Sequence, residues 1–292
     1  FMWRSTRESA MRDRQGRLDI PATLAALLLS FFVIVAVFAP VLAPHSPTLG
    51  TLSARLLPPA WIDTGRAQFL LGTDHLGRDV LSRLIYGARI SLSVGVAAVL
   101  VAGTLGTALG IVAGYLGSFA DQLIMRVVDA WMAMPSLVFA IFLAAMVGQS
   151  TINVVLILGL VYWTRYARLV RGEVLSLRER DFVKLAIVTG ASPLRIMVRH
   201  ILPNVVNTTL VLATLMLGVV IVTEASLSFL GVGVPPPQPA WGLMLADGKQ
   251  AMMVGKWWLT VLPGLCIMLT VLSASVLGDY LRDRFDPKGR LR

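Results

Sequence analysis

Cysteine, histidine and charge are all scarce in this chain of 292 residues. The single cysteine, Cys266, lies inside an apolar run, so neither a disulfide framework nor a cysteine metal site is possible within the chain. His45, His75 and His200 fall on widely separated segments and offer no three-histidine centre. A phosphate-binding loop is missing: Gly248-Lys249 is followed by Gln250 and Gly255-Lys256 by Trp257, and neither pair has the spaced glycine before it. There is no His-Glu-x-x-His zinc pattern and no Gly-x-Ser-x-Gly elbow. The chain therefore reads as a non-catalytic protein with no metal site and no bound cofactor of its own.

What is abundant is apolar surface. With 56% hydrophobic and only 14% charged residues, and a mean hydropathy of +0.76, the composition excludes a soluble globular domain and points to an all-α, polytopic membrane protein. The net charge of +10 does not imply nucleic acid, because the basic residues sit in the gaps between apolar segments without interleaved stacking aromatics.

In chain order, residues 1–20 form a basic tail, and 21–43 a first spanning helix long enough to be retained rather than cleaved as a signal peptide. Residues 44–89 read as an external loop with an amphipathic helix, where Leu81, Leu84, Ile85 and Ala88 make one stripe and Arg78, Arg83 and Arg89 lie elsewhere around it. Residues 93–117 read as the second span, in which Gly106, Gly110 and Gly114 recur every fourth residue and predict close helix packing. The third span runs to Val147, with Arg126 and Asp129 expected to pair near its cytoplasmic end. Residues 152–168 form the fourth, ending in an aromatic and basic cluster, 162–166, expected at the inner interface. Residues 205–226 form the fifth, and a Pro-rich loop then leads to Trp241-Gly242. Trp257 and Trp258 anchor the sixth, and 281–292 is a basic tail. Six spans with both termini cytoplasmic place 19 of the 26 Lys and Arg inside, as the positive-inside rule requires.

Between the fourth and fifth spans lies a polar-to-amphipathic island, residues 178–204, too charged for lipid. Residues 180–189 contain no helix breaker, Gly190 suits a left-handed stop, Ser192 an N-cap and Pro193 a first helical position. Leu194, Met197, Val198 and Ile201 then make an apolar stripe, with Arg195 and Arg199 on another face, until Leu202-Pro203 ends the helix and redirects the chain. Read on its own, the island is either a protein-docking hairpin or an amphipathic helix on the membrane surface.

The island resembles the cytoplasmic Glu-Ala-Ala loop of bacterial binding-protein-dependent ABC importer permeases. Ala186, Gly190, Leu202 and Pro203 stand at the family positions, while Lys184 and Leu185 replace the usual Glu and Ala. Residues 69–92, with Gly72-Thr73-Asp74, Leu76-Gly77-Arg78-Asp79 and Tyr86-Gly87-Ala88-Arg89, resemble the C-type subunit of the dipeptide, oligopeptide and nickel branch. The segment from Glu224 to Gly233 resembles the same branch.

The resemblance implies the type I ABC importer permease fold, with a transmembrane domain at 90–280. It also implies a bacterial inner-membrane location and a coupling loop at Lys184, Leu185, Ala186, Gly190, Ala191, Ser192, Leu202 and Pro203 that seats in an ATPase. The implied partners are a second, homologous permease subunit, two ATP-binding subunits carrying ATP and magnesium, an extracytoplasmic substrate-binding protein and membrane lipid. Substrates in this branch include dipeptides, longer peptides and nickel chelates. Asp74, Arg78 and Asp79 are expected to fix turns. Glu224 is either a pathway residue or a hydrogen-bonding group within the bundle. A reading from a different class, an ion- or proton-coupled secondary transporter, has only Asp129 and Glu224 as candidate coupling sites.

Overall fold

The computed structural model describes residues 19–285 and is all-helical, with no strand among the described residues beyond one antiparallel bridge between Thr73 and Asp79. The expected tails at 1–20 and 281–292 fall largely outside the described residues. Helix α1 spans Ile20–Val37, and a separate turn of helix, α2, follows at Ala39–Leu42, where Pro40 takes an early helical position and its missing N–H costs nothing. The long helices are α3 (Val80–Leu116), α6 (Thr151–Arg178), α9 (Leu202–Phe229) and α11 (Trp258–Phe285). The shorter ones are α4 (Ser118–Met132), α5 (Ser136–Val147), α7 (Asp181–Val188), α8 (Pro193–Ile196) and α10 (Trp241–Met252). Among the described residues, four continuous helical stretches are long and apolar enough to cross a membrane, or five if α4 and α5 count as one broken span.

Several boundaries differ from those expected, each for an identifiable reason. The amphipathic helix and the second span are one 37-residue helix, α3, because nothing between Leu81 and Ser93 breaks it and Asp79 caps its start by accepting from the Ser82 N–H at 2.9 Å. The third span is not straight: α4 and α5 meet at 92° across Ala133–Pro135, where proline removes a backbone donor and forces the preceding residue out of helical geometry. Asp129 pairs with Arg168 of α6 at 2.5 Å rather than with Arg126. Trp241–Met252, between the Pro-rich loop and the sixth span, is helical; a Cβ at Gly242 would stand 2.5 Å from the Ala225 backbone and one at Gly248 2.6 Å from the Leu259 carbonyl oxygen.

Pro203 does not end the helix of the island. The chain runs helically from Pro193 to Phe229, and a π-turn at Met197–Ile201 absorbs the proline by admitting one extra residue before it. That insertion also changes the buried face: Ile196 and Ile201 are buried, whereas Leu194 and Val198 of the expected stripe are exposed. The aromatics of the 162–166 cluster pack against other helices. Tyr162, Trp163 and Tyr166 are buried in the bundle, and α6 continues for three more turns to Arg178.

The main core gathers α3, α5, α6 and α9 around Val94, Ala98, Leu158, Tyr166 and Val220. A second core ties α1, α3, α10 and α11 around Phe32, Val80, Trp241 and Trp258. A third seats the island on the ends of α3 and α6 through Ile111, Val170, Val174, Val183, Ile196 and Ile201.

Candidate functional site

The island is built as a rigid arm. Helix α7 ends in a Schellman turn: the Gly190 N–H donates to the Ile187 carbonyl and the Ala191 N–H to the Ala186 carbonyl, both at 3.0 Å. This geometry puts Gly190 at φ +78°, with open space where a Cβ would stand, so the glycine serves conformation and not packing. Ser192 then caps α8 by accepting from the Arg195 N–H at 3.4 Å, and Pro193 takes the first helical position. Val183 and Ala186 face the bundle, and Leu185, Ile187, Val188 and Leu194 are left in the open, Val188 at 83% exposure. Exposed apolar side chains gathered at the end of a hairpin mark a surface that meets either another protein or the membrane. Lys184 is exposed and lies 3.4 Å from Glu179. Leu202 is half-buried and Pro203 exposed at the π-turn.

The glycine row of α3 faces α6. A Cβ at Gly106 would stand 2.2 Å from the Trp163 carbonyl oxygen, one at Gly110 2.7 Å from that of Ala167, and one at Gly114 2.7 Å from the Val174 Cβ. Two backbones thus lie in direct contact along a seam that leads from the membrane core to the arm.

At the opposite end of α3, four charges condense. Asp74 accepts from the backbone N–H of Leu76 at 2.9 Å and of Arg78 at 3.0 Å, from Arg78 Nε at 2.6 Å and from Arg83 Nη1. Asp247 of α10 accepts from Arg78 Nη2 at 3.2 Å and Arg83 Nη2 at 3.1 Å. Arg78, Arg83 and Asp74 are all buried. Burial favours the protonated Asp74, but the Arg83 charge, the Arg78 N–H and charge and the Leu76 N–H outweigh it and hold its pKa below the usual carboxylate value. The node pins the turn before α3 to α10 through Asp74 and Arg78, while Asp79 caps α3 through Ser82. Arg83 and Asp247 went unrecognised, because only the fold brings residues this far apart in sequence together. Asp74, His75 and Asp247 each offer a ligand atom within 4.8 Å of one another, but the two arginines already neutralise both carboxylates, so the cluster suits no cation.

Glu224 is wholly buried. Its carboxylate accepts from Ser228 Oγ at 2.7 Å and Ser91 Oγ at 3.2 Å, and those hydroxyls accept in turn from the Val234 and Trp241 N–H groups. It ties α3, α9 and the start of α10 together.

Comparison with known proteins agrees with this architecture. The family model described as "Binding-protein-dependent transport system inner membrane component" matches residues 106–290. The chain is 43% identical over 262 residues to the Di/tripeptide transport system permease protein DppC of Pseudomonas aeruginosa, covering 90% of this chain and 86% of that one. It is 42% identical over 283 residues to the Dipeptide transport system permease protein DppC of Alkalihalophilus pseudofirmus, covering 97% and 90%. It is 38% identical over 264 residues to the Probable D,D-dipeptide transport system permease protein DdpC of Escherichia coli, covering 90% and 86%. The chain belongs to the binding-protein-dependent ABC importer permeases, as a multi-pass C-type inner-membrane subunit.

Proposed function

We propose that this subunit forms half of the translocation pathway of an ATP-driven importer for dipeptides or closely related small peptides, and that the arm at 181–192 docks separate ATPase subunits. The observation that carries the reading is the arm itself: a Schellman-closed hairpin with a bare apolar tip, held by a buried base against the inner ends of α3 and α6. Six spans, counting α4 with α5 as one and α6 as another, put the arm and both termini in the cytoplasm. The working assembly comprises this chain, a homologous permease, two ATPases with ATP and magnesium, and an extracytoplasmic binding protein. Closure of the ATPases moves the arm, and the α3–α6 seam passes that motion to the spanning helices.

The ion-coupled alternative finds no support. Asp129 sits in an exposed ion pair with Arg168, and both Glu224 oxygens are engaged by serine hydroxyls.

Gly190→Val tests the reading. A β-branched residue at φ +78° costs about 1–2 kcal/mol or more and unwinds the turn. In the reconstituted importer, the variant is expected to keep the complex membrane-inserted while peptide uptake falls at least tenfold and ATP hydrolysis ceases to respond to the loaded binding protein. Normal uptake would remove the arm from the mechanism. Lys184→Glu exchanges the attraction to Glu179 for repulsion at an exposed site, worth less than about 1 kcal/mol, so thermal stability should hold. A drop in ATPase affinity on titration would show that Lys184 meets an acidic group on the partner.

A further inference from the structure

Between α3 and the continuous helix 193–229 runs an open groove of about 520 Å³. Its walls are apolar side chains from both helices, Leu100, Ile111, Val198 and Leu210 among them. Of the three threonines in it, Thr104 Oγ1 donates to the Leu100 carbonyl at 2.7 Å, Thr209 Oγ1 to the Val205 carbonyl at 2.9 Å, and Thr107 Oγ1 lies 3.4 Å from Thr209 Oγ1. No ionisable group other than the phenol of Tyr166 lines it. A peptide lying there would leave its amides without partners, which is costly.

The dimensions narrow the occupant further. On α3 the groove extends from Val99 to Val112, roughly 20 Å at 1.5 Å per residue. An extended hydrocarbon chain can run along that length in contact with both apolar walls and leaves no polar group unpartnered there.

At the arm end of the groove, charge takes over. Leu194 and Val198 line it, and the residues one position on, Arg195 and Arg199, are exposed and a helical turn apart on a shared face. Neither belongs to an ion pair among the described residues. Two free guanidiniums beside an apolar slot at the inner end of a bundle match the two parts of an anionic phospholipid, phosphate and tail.

We infer that this groove is a binding site for an anionic phospholipid of the inner leaflet, with an acyl chain between α3 and α9 and its phosphate on Arg195 and Arg199. The lipid then bridges a spanning helix and the arm, so membrane composition bears on the arm's position. The inference is independent of peptide specificity, and its test reads lipid and not transport.

The complete importer in nanodiscs would be labelled with phosphatidylglycerol carrying a photoactivatable acyl chain, and with the matching phosphatidylcholine. The phosphatidylglycerol label is expected to map to residues 99–112 and 194–213, to fall at least fivefold in Arg195→Gln/Arg199→Gln, and to fall as far in Ala108→Phe, which fills the slot. Phosphatidylcholine labelling should ignore the arginine substitutions. Should the arginine variant fail to assemble, Ala108→Phe reads the slot by itself. Label spread evenly over all lipid-facing helices would overturn the inference, as would equal labelling of wild type and both variants. A cross-link from Leu210 to a helix of the second permease in place of lipid would also overturn it.

Discussion

Gly106→Leu is expected to leave almost no assembled importer in the membrane. At Gly106 the nearest neighbour of a new Cβ is a backbone carbonyl oxygen at 2.2 Å, and the Tyr166 Cβ follows at 2.6 Å. A side-chain neighbour could rotate away, but the Trp163 carbonyl is locked in the hydrogen-bond ladder of α6. The two helices would have to part. Overpacking of a well-filled core typically costs about 1–3 kcal/mol, and an obstruction by backbone places this site at or beyond the upper end. Separation would also strip contacts from Tyr166 and Ala167, both fully buried. Gly103→Ala is the control on the same helix. Its added Cβ would meet Tyr166 at 3.5 Å, an ordinary contact, and no loss is expected. Yield of intact complex after detergent extraction, measured by size-exclusion chromatography, checks both. Equal yields for the two variants would mean that α3 and α6 do not meet as described.

Arg83→Met is expected to lower the thermal midpoint of the complex by more than any other single change at the outer end of α3. The substitution preserves the stem but removes a guanidinium that serves Asp74 and Asp247 together. Breaking a buried pair from one side strands the remaining charge, at a cost of about 3–5 kcal/mol. Asp247→Asn should cost far less, since Asp247 is partly exposed and water can replace it. The acid limit follows from Asp74. Its folded pKa lies below the ordinary value of 3.8, so its contribution is complete above about pH 5 and is lost as pH falls through the ordinary value to the folded one. The thermal midpoint of the wild type should accordingly be flat between about pH 5 and 7 with respect to this group and drop below about pH 4. Asp74→Asn should start lower and lose less on acidification.

Much of the fold was legible because bilayers impose simple rules. Long apolar runs and basic gaps marked the four continuous candidate spans and the bent pair, and the Gly106, Gly110 and Gly114 spacing announced a packed face. The turn at Gly190 was legible because glycine, Ser192 and Pro193 each carry a local preference that the backbone obeys.

The misreadings have a common origin in tertiary context. Pro203 is a helix breaker by local rule, but one extra residue in a π-turn lets the helix continue, and the insertion moved Leu194 and Val198 from the buried to the open side. Pro135 did break its helix, and by 92°, an angle no periodicity records. The aromatics at 162–166 carry the composition of an interface belt, and their packing was not legible: Tyr162 finds Thr223 across the bundle at 2.6 Å and is buried there. For Arg83 the sequence shows only a charge off the apolar stripe, because its partners lie up to 164 positions away.

The central claim is that the arm at 181–192 is where separate ATPases grip this permease. A photo-cross-linking amino acid at Val188, the most exposed of the arm's apolar residues, tests it directly in the native membrane. Its adducts would be identified by mass spectrometry, with the same probe at Val254 as the comparison from the opposite end of the bundle. The expected result is a single protein adduct from Val188, an ATP-binding subunit, whose yield changes when ATP is trapped, and none to that subunit from Val254. Adducts from Val188 to lipid alone, in a preparation where the importer is intact and active, would make the arm a membrane-surface helix and contradict the coupling role.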